Sequence, residues 1–118
     1  MPYFLGVDLG TTFTSAAVFR NDTASTVTLG NHGASIQSAV FAQDDGSILI
    51  GDAASRRGVS EPERVGREFK RRLGDTTPIF LGGAPYSAEQ LTAQMLRSVL
   101  DEVRRREGGE PDGVAITH

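Results

Sequence analysis

A short stretch near the start of the chain combines residue types that bind phosphate and magnesium. Asp8 supplies a carboxylate, Gly10 lets another group approach the backbone closely, and Thr11 and Thr12 supply hydroxyls. Successive backbone N–H groups in a tight turn form a concave anion site, and a neighbouring carboxylate can hold hydrated Mg²⁺ against phosphate charge. The stretch therefore predicts a phosphate-binding turn, although the same residue types also build ordinary hairpin turns.

Lysine usage singles out a second candidate residue. Eleven of the twelve basic residues are arginine, and Lys70 is the only lysine in the sequence. An ammonium group is compact and strongly hydrated, so it differs from a guanidinium in shape and in the ligands that suit it. Lys70 is therefore a candidate functional cation.

The sequence argues against several other kinds of functional site. It contains neither a P-loop motif nor the glycine pattern of a dinucleotide fingerprint. There is no cysteine, and His32 and His118 have no partner at metal-ligand spacing, which argues against zinc. Neither histidine has an acidic neighbour that the sequence can identify, so a nucleophilic triad has no support.

Two apolar runs have to position the turn. Residues 3–7 and 14–19 are rich in β-branched and aromatic residues, which predicts the two strands of a hairpin with the turn at its tip. A turn at Asn21-Asp22 and a third strand over residues 25–29 extend the hairpin to an antiparallel meander, followed by a loop over 30–33.

A second hairpin and a short helix follow. Residues 38–42 and 47–50 predict two strands closed by Asp44-Asp45-Gly46, which is a strong turn signal between apolar segments. A short helix over residues 52–57 is bounded by glycines.

The segment that contains Lys70 has the pattern of an amphipathic helix from Pro62 to Leu73. Proline is favoured at the first helical position, and Gly74 ends the run. Val65, Phe69 and Leu73 recur every four residues and predict a buried stripe. Lys70 lies about 100° round the helix from Phe69. Its stem can then follow the apolar surface while its ammonium enters a cleft.

The clearest element of the sequence is a long helix near its end. Residues 75–85 predict a loop with a short strand at 78–81, and Ser87 and Gln90 then form a capping box. Gly108-Gly109 stops the helix, and residues 114–117 predict a final strand. One apolar face is expected on the helix, formed by Leu91, Met95, Leu96, Val99, Leu100 and Val103.

Composition narrows the functional classes. The chain has 118 residues and a net charge of −3, so it is one small domain or a piece of a larger one and not a general nucleic-acid binder. No apolar run approaches the roughly 20 residues of a membrane helix, and no signal segment opens the chain. We therefore expect a cytoplasmic protein with no membrane segment in this region. Because the chain stops at or just after a strand, we expect an N-terminal fragment.

The turn and the segments that follow it resemble the N-terminal ATPase domain of the heat-shock 70-kDa (DnaK-type) chaperones. The turn itself recurs across actin-like ATPases and sugar kinases, whereas the Lys70–Gly74 segment at this spacing points to a divergent member of the chaperone branch. The matching segments come in the family's order: Gly6–Thr14, Ser38–Phe41, Asp45-Gly46, Ile50–Ala54, Glu61-Pro62, Phe69–Gly74, Tyr86–Glu89 and Val114–Thr117.

This resemblance implies a set of nucleotide contacts. The hydroxyls and backbone of Thr11 and Thr12, and the backbone of Phe13, would contact the β- and γ-phosphates of ATP. Asp8 would hold Mg²⁺ through water, and Lys70 would reach the γ-phosphate and help orient the attacking water. Asp8 and Lys70 are then the catalytic residues, and the nucleotide-binding residues are Gly10, Thr11, Thr12 and Phe13.

The fold implied by the resemblance is an actin-like α/β ATPase of the ribonuclease H type, with a cleft between two lobes. This chain would be part of lobe I, a β-meander with a small α/β subdomain inserted. Residues 1–36 and 114–118 would form its base subdomain, and residues 37–113 the inserted upper subdomain and the crossover helix. The remaining half of the nucleotide site would lie beyond residue 118. We therefore expect the 118-residue chain alone to bind ATP weakly and to show no detectable hydrolysis.

Three positions depart from the family pattern. Ile36-Gln37 stands where Thr-Pro is usual, which puts the rigidity of the entry to the upper subdomain in doubt. Phe13 replaces an asparagine or tyrosine and so loses a polar side chain. Residues 75–86 form a shorter segment than in typical members, which predicts that a strand pair is missing.

The function that we expect is ATP binding and hydrolysis in a cytoplasmic stress-response chaperone. Its partners in the full-length protein would be nucleotide, unfolded polypeptides and co-chaperones, without nucleic acid. A divergent actin-like lobe that acts as a nucleotide-sensing or structural interaction module is the alternative. A small-molecule kinase of the same superfamily is a third hypothesis, which the Lys70 segment argues against.

Overall fold

The computed structural model describes residues 2–29 and 35–117. Within them the chain has a mixed α/β structure, with two sheets, a separate hairpin and two α-helices. The α/β class is therefore confirmed. His32, His118 and the loop predicted at 30–33 lie outside the described residues.

The first sheet positions the predicted turn. Its middle strand β1 is antiparallel to β2 and parallel to β10, while β3 and β4 pair with opposite ends of β2. Side chains alternate between the two faces, so every second residue of β1 and β2 enters the core. The predicted first hairpin is confirmed. The strands of this sheet are β1 (Phe4–Leu9), β2 (Phe13–Arg20), β3 (Thr23–Thr26), β4 (Ser35–Gln37) and β10 (Gly113–Thr117).

The third strand begins and ends earlier than the 25–29 expected. Asn21 and Asp22 both have positive φ, 48° and 64°, and form a two-residue turn of the kind that matches the twist of a hairpin. Pairing with β2 therefore starts at once, at Thr23, and the strand ends at Thr26.

The second sheet lies beside the first and has β5 (Ala39–Ala42) at its centre. β5 is antiparallel both to β6 (Ile48–Ile50) and to β7 (Val65–Arg67). Helix α1 (Asp52–Ser60) packs on this sheet, where a Cβ at Gly58 would come within 2.8 Å of Val65. The second hairpin and the short helix are confirmed, although α1 runs three residues further than expected.

The helix predicted over residues 62–73 is wrong. Residues 62–74, which we call the lysine segment, form a 3₁₀ turn at Pro62–Arg64, then strand β7, then a second 3₁₀ turn at Phe69–Arg72. Gly66 fits closely against Val40 of β5, and Glu68 takes a left-handed conformation with φ 53°. Strand pairing with β5 therefore supplies hydrogen bonds that a helix would have made locally. Only Phe69 of the expected stripe is fully buried, and Leu73 is exposed.

The stretch after the lysine segment holds one strand more than the single strand expected at 78–81, while the absence of a strand pair found in typical members stays a prediction. β8 (Ile79–Leu81) and β9 (Ala84–Tyr86) form a hairpin. Gly82 and Gly83 join the strands with φ of 60° and 86°, and the left-handed region is one that glycine enters without strain. A Gly-Gly pair therefore lets a short segment hold two strands.

The long helix is confirmed as α2 (Ala88–Glu107). Both halves of the Ser87–Gln90 capping box form, and Gly108 ends the helix with φ 77°. Its apolar face packs into a core shared by residues of both sheets. Neither helix of the described residues is long and apolar enough to cross a bilayer. The buried residues of α2 are Ala88, Leu91, Met95, Val99 and Val103.

Candidate phosphate-binding site

The predicted turn, which we call the phosphate turn, comprises residues 10–13 and connects β1 to β2. Thr12 and Phe13 are exposed, whereas Gly10 and Thr11 are half-buried. A Cβ at Gly10 would lie 2.2 Å from the carbonyl oxygen of Phe13, far inside contact distance. The tight packing of the turn on itself therefore requires glycine at position 10.

Ser38, just before β5, holds the phosphate turn from behind. Its hydroxyl donates to the carbonyl oxygen of Gly10 at 2.7 Å, and its backbone N–H donates to that of Thr12 at 2.8 Å. The Thr14 and Ser38 hydroxyl oxygens lie 2.9 Å apart. Thr14 and Ser38 are 0% and 5% exposed, so water does not compete for these bonds.

Lys70 lies against the same turn although the helix predicted to carry it does not form. Its Nζ donates to the carbonyl oxygen of Leu9 at 2.7 Å, across 61 residues of sequence. The adjacent Phe69 is buried in the core and fixes the second 3₁₀ turn in place. The structure thus brings together two of the sequence-predicted components, the turn and the only lysine.

Asp8 is placed on the outer face of β1, next to the final strand. Its exposed carboxylate accepts a hydrogen bond of 3.0 Å from the hydroxyl of Thr117, its register partner on β10. Among residues 2–29 and 35–117 no group of three or more acidic, histidine or cysteine side chains is arranged to hold a metal. A single exposed carboxylate fits magnesium held through water, because Mg²⁺ keeps several waters and needs only one or two carboxylates beside phosphate.

Phe13 faces an open groove of about 640 Å³ at the end of the phosphate turn. Two arginines, Arg56 and Arg67, line the same groove and give it positive charge beside the turn. The groove is further lined by Ser35, Gln37, Asp52, Ser55 and Val59.

Gln37 is anchored in this groove. Its Oε1 accepts hydrogen bonds from Ser55 at 2.7 Å and from Arg67 at 3.1 Å. Arg67 also donates to Ser55 at 2.8 Å. These bonds join the end of β4 to α1 and β7, so a polar network fixes the entry to the second sheet.

The end of the lysine segment carries an exposed charge network. Asp75 accepts a hydrogen bond of 2.8 Å from the backbone N–H of Thr77 and pairs with Arg72 at 3.3 Å. Hydrogen bonds from Thr77 are the main cause that lowers the pKa of the Asp75 carboxyl, and Arg72 adds to the effect. The Asp75 carboxylate therefore stays charged near neutral pH and links Arg72 to Thr77.

Three of the contact residues at this site were missed by the sequence analysis. Thr14 and Ser38 were the first residues of predicted strands and Thr117 the last residue of another, with no local signal of a role. Each makes its contact across at least 24 residues, so only the folded chain brings them to Gly10, Thr12 and Asp8.

Comparison with known proteins places the chain within one family. A family model described as "Hsp70 protein" matches residues 4–81. Relatives named "Chaperone protein DnaK" include that of Halobacterium salinarum, 29% identical over 114 residues, which are 96% of this chain and 18% of the relative. The relative from Elusimicrobium minutum is 31% identical over 99% of this chain and 20% of its own length. The one from Endomicrobium trichonymphae is 32% identical over 84% of this chain and 17% of its own length. The chain thus spans about a fifth of the length of these relatives.

Proposed function

The chain belongs to the Hsp70 family, and from this premise we propose that it forms one side of the ATP site in an ATP-hydrolysing chaperone domain. Relatives named as DnaK chaperones match nearly the whole chain, which supports this assignment. The observation that carries the proposal is the hydrogen bond from the Lys70 ammonium to the carbonyl oxygen of Leu9, the residue directly before the phosphate turn. A cation beside a turn of N–H donors suits the charge that develops during phosphoryl transfer.

In this proposal the phosphate turn binds the β- and γ-phosphates. The backbone and hydroxyls of Thr11 and Thr12 and the N–H of Phe13 act as donors, and Gly10 allows the turn its tight shape. Lys70 reaches the γ-phosphate and helps orient the attacking water. The exposure of Thr12 and Phe13 supports this role, since a ligand can approach them directly.

Asp8 is the proposed residue for holding magnesium through water. The bound ion would neutralise charge on the phosphates and fix their geometry. The Asp8 carboxylate is oriented by Thr117, whose hydroxyl donates to it, and it stays exposed on the face of the sheet. Both features support a water-mediated role.

The two sheets support an actin-like lobe as the parent architecture. Residues 1–36 and 114–118 are assigned to its base subdomain, which contains the first sheet. Residues 37–113 are assigned to the inserted upper subdomain and the crossover helix. The parallel pairing of β1 with β10, reached through α2, fits this division because parallel strands need a crossover connection.

The whole protein would act in the cytoplasm on unfolded polypeptides, together with co-chaperones and under stress. The family relationship supports these roles, and the part of the domain beyond this chain would supply the rest of the nucleotide site. Phe13 keeps the backbone donor of the turn but offers no polar side chain to the ligand.

Substitution of Lys70 in the full-length protein tests the proposal. We expect Lys70→Ala to lower the single-turnover rate of ATP hydrolysis at least about 100-fold, which corresponds to about 2.7 kcal/mol in the barrier. The affinity for ATP should change by less than about threefold, because the ammonium acts mainly on the transferring phosphoryl group.

Arg97→Ala is the matched control. Arg97 is an exposed cation that lines cavities beside α2, so its removal should leave the rate unchanged. A Lys70→Ala rate within about threefold of the parent would remove Lys70 from the mechanism. A wild-type protein that binds ATP without turnover would favour a nucleotide-sensing module instead.

A further inference from the structure

We propose that Ser38 is the positioning residue of the phosphate turn, because it fixes the direction in which the turn's N–H groups point. The inference rests on the proposed nucleotide function and adds to it a residue outside the turn. Ser38 directly precedes β5 of the second sheet, lies 28 residues from Gly10 and is 5% exposed.

The hydrogen bonds around Ser38 have a defined direction. A hydroxyl has one hydrogen to donate, and that of Ser38 is directed to the carbonyl oxygen of Gly10. Thr14 is therefore the donor in the 2.9 Å contact between the two hydroxyls. The result is a buried relay that runs from the Thr14 hydroxyl through the Ser38 hydroxyl to the Gly10 carbonyl.

Ser38 also holds the other end of the turn. Its own N–H donates to the carbonyl oxygen of Thr12 at 2.8 Å, so two carbonyls of the turn point at one residue. A trans peptide is planar, and its N–H points opposite to its C=O. The N–H groups of Thr11 and Phe13, which share peptides with those carbonyls, therefore point away from Ser38.

Because of this geometry, both N–H groups point away from Ser38 and can donate to the same ligand. They leave the side of the turn that Ser38 holds, and Thr12 and Phe13 are exposed to an approaching ligand. Donors that are fixed before the ligand arrives cost little reorganisation when phosphate charge has to be stabilised. Ser38 thus supplies the turn with its orientation without touching the ligand.

The support behind Ser38 is rigid. Ala39, Val40, Phe41 and Ala42, which follow it in β5, are each between 0% and 3% exposed. β5 is also paired on both sides, by β6 and β7. Through Ser38 the turn is therefore attached to the most buried strand of the second sheet. A movement of that strand would displace the turn and with it the bound phosphate.

Binding measurements on the full-length protein separate positioning from a purely structural role. ATP and adenosine are titrated in turn, because adenosine has no phosphate to contact the turn. Loss of a buried hydrogen bond to the turn is expected to weaken ATP binding about 10-fold in Ser38→Ala. Adenosine binding is expected to stay within about twofold, since its contacts lie elsewhere.

A second variant removes the relay without touching Ser38. Thr14→Val keeps the shape of the side chain but deletes its donor, and we expect about fivefold weaker ATP binding with unchanged adenosine binding. In the double variant the loss should match that of Ser38→Ala alone, because both substitutions break the same relay. Should Ser38→Ala fail to fold, Thr14→Val still decides the question.

Ser98→Ala is the matched control, a half-buried serine of α2 that lines a cavity containing no residue of the turn. It should bind ATP as the parent does. Equal losses for ATP and adenosine, or an unchanged ATP affinity in both Ser38→Ala and Thr14→Val, would overturn the role of Ser38 alone. A parent protein that binds adenosine but gains nothing from the phosphates of ATP would overturn the proposed function and the role of Ser38 together.

Discussion

The phosphate turn and the lysine segment meet at the Leu9 carbonyl, yet they are held in place by different means. Buried hydroxyls and close backbone packing fix the turn, and its supports, Ser38 and Thr14, are almost completely buried. In the lysine segment Phe69 is fully buried, whereas the ion pairs Arg71–Glu68 and Arg72–Asp75 are exposed, with separations of 3.6 and 3.3 Å.

The difference shows how the two kinds of functional group are positioned. N–H donors must be directed within narrow limits, and short buried side chains with little freedom suit that task. A lysine has a flexible stem, so it needs only an anchored neighbour and an open path to the site. Exposed ion pairs contribute little to stability, so the buried Phe69 is the principal side-chain anchor of the second 3₁₀ turn, next to the paired strand β7.

The largest effect is expected from a methyl group placed inside the turn. Gly10→Ala would bring a Cβ within 2.2 Å of the Phe13 carbonyl oxygen, so the turn would have to change shape. We expect ATP affinity in the full-length protein to fall at least about 1,000-fold, or about 4 kcal/mol, by calorimetric titration.

Gly109→Ala is the matched control for that substitution. A Cβ at Gly109 would meet nothing within 4 Å, and this glycine does not have a positive φ. ATP affinity should therefore be unchanged. If Gly10→Ala bound ATP as tightly as Gly109→Ala, the shape of the turn would not matter for binding.

The next largest effect is expected from the removal of Phe69, the side-chain anchor of the second 3₁₀ turn. Phe69→Ala should lower the free energy of unfolding by about 3 kcal/mol, because a buried aromatic ring is lost and a cavity remains. Chemical denaturation measures the change, with Phe80→Ala as the control, since Phe80 is 62% exposed. Equal effects of the two substitutions would mean that Phe69 anchors nothing.

Relief of backbone strain in the lysine segment should have a small effect of opposite sign. Glu68 has φ 53°, a left-handed conformation that costs a non-glycine residue roughly 1–2 kcal/mol. Glu68→Gly removes that cost but loses about 0.5–1 kcal/mol to backbone entropy, so a gain of about 0.5 kcal/mol is expected.

Glu63→Gly provides the contrast for the strain argument. Glu63 lies in the first 3₁₀ turn and its φ is not positive, so glycine there brings only the entropic cost and should destabilise. Denaturation midpoints that move in the same direction for both variants would show that the conformation of Glu68 carries no strain.

The smallest effect on stability is expected at Asp75, and its size depends on pH. Its pKa is lowered in the folded protein, mainly by hydrogen bonds from Thr77, so its contribution to stability is present above its ordinary pKa near 3.9. That contribution is lost as the pH falls through the lowered pKa. Asp75→Ala should be slightly less stable than the parent at pH 7 and indistinguishable from it near pH 2. A difference that persisted at low pH would assign the effect to packing rather than to charge.

Much of the fold was predictable because it is encoded locally. The first hairpin, the Asp44–Gly46 turn, α1 and α2 each have capping, turn or periodic signals within their own residues. The lysine segment misled the prediction because a four-residue apolar spacing indicates a helix in isolation. Tertiary pairing of β7 with β5 and the close fit of Gly66 against Val40 overrode that local preference.

The candidate site was predictable in its residue types but not in its supports. Carboxylate, glycine, threonine and a single lysine indicate phosphate chemistry through their own properties. Ser38 and Thr117 act through contacts across 28 and 109 residues, and no feature of a single sequence specifies such contacts. Strand β9 was missed because two glycines form a two-residue turn inside a segment that looked too short for a second strand.

A crystal structure of the full-length protein with magnesium and a nonhydrolysable ATP analogue tests the central claim most directly. The account predicts phosphate oxygens within about 3.2 Å of the backbone nitrogens of Thr11 and Phe13, with the Lys70 ammonium turned from Leu9 toward the γ-phosphate. A nucleotide bound with its phosphates away from the phosphate turn, and Lys70 still on the Leu9 carbonyl, would contradict it.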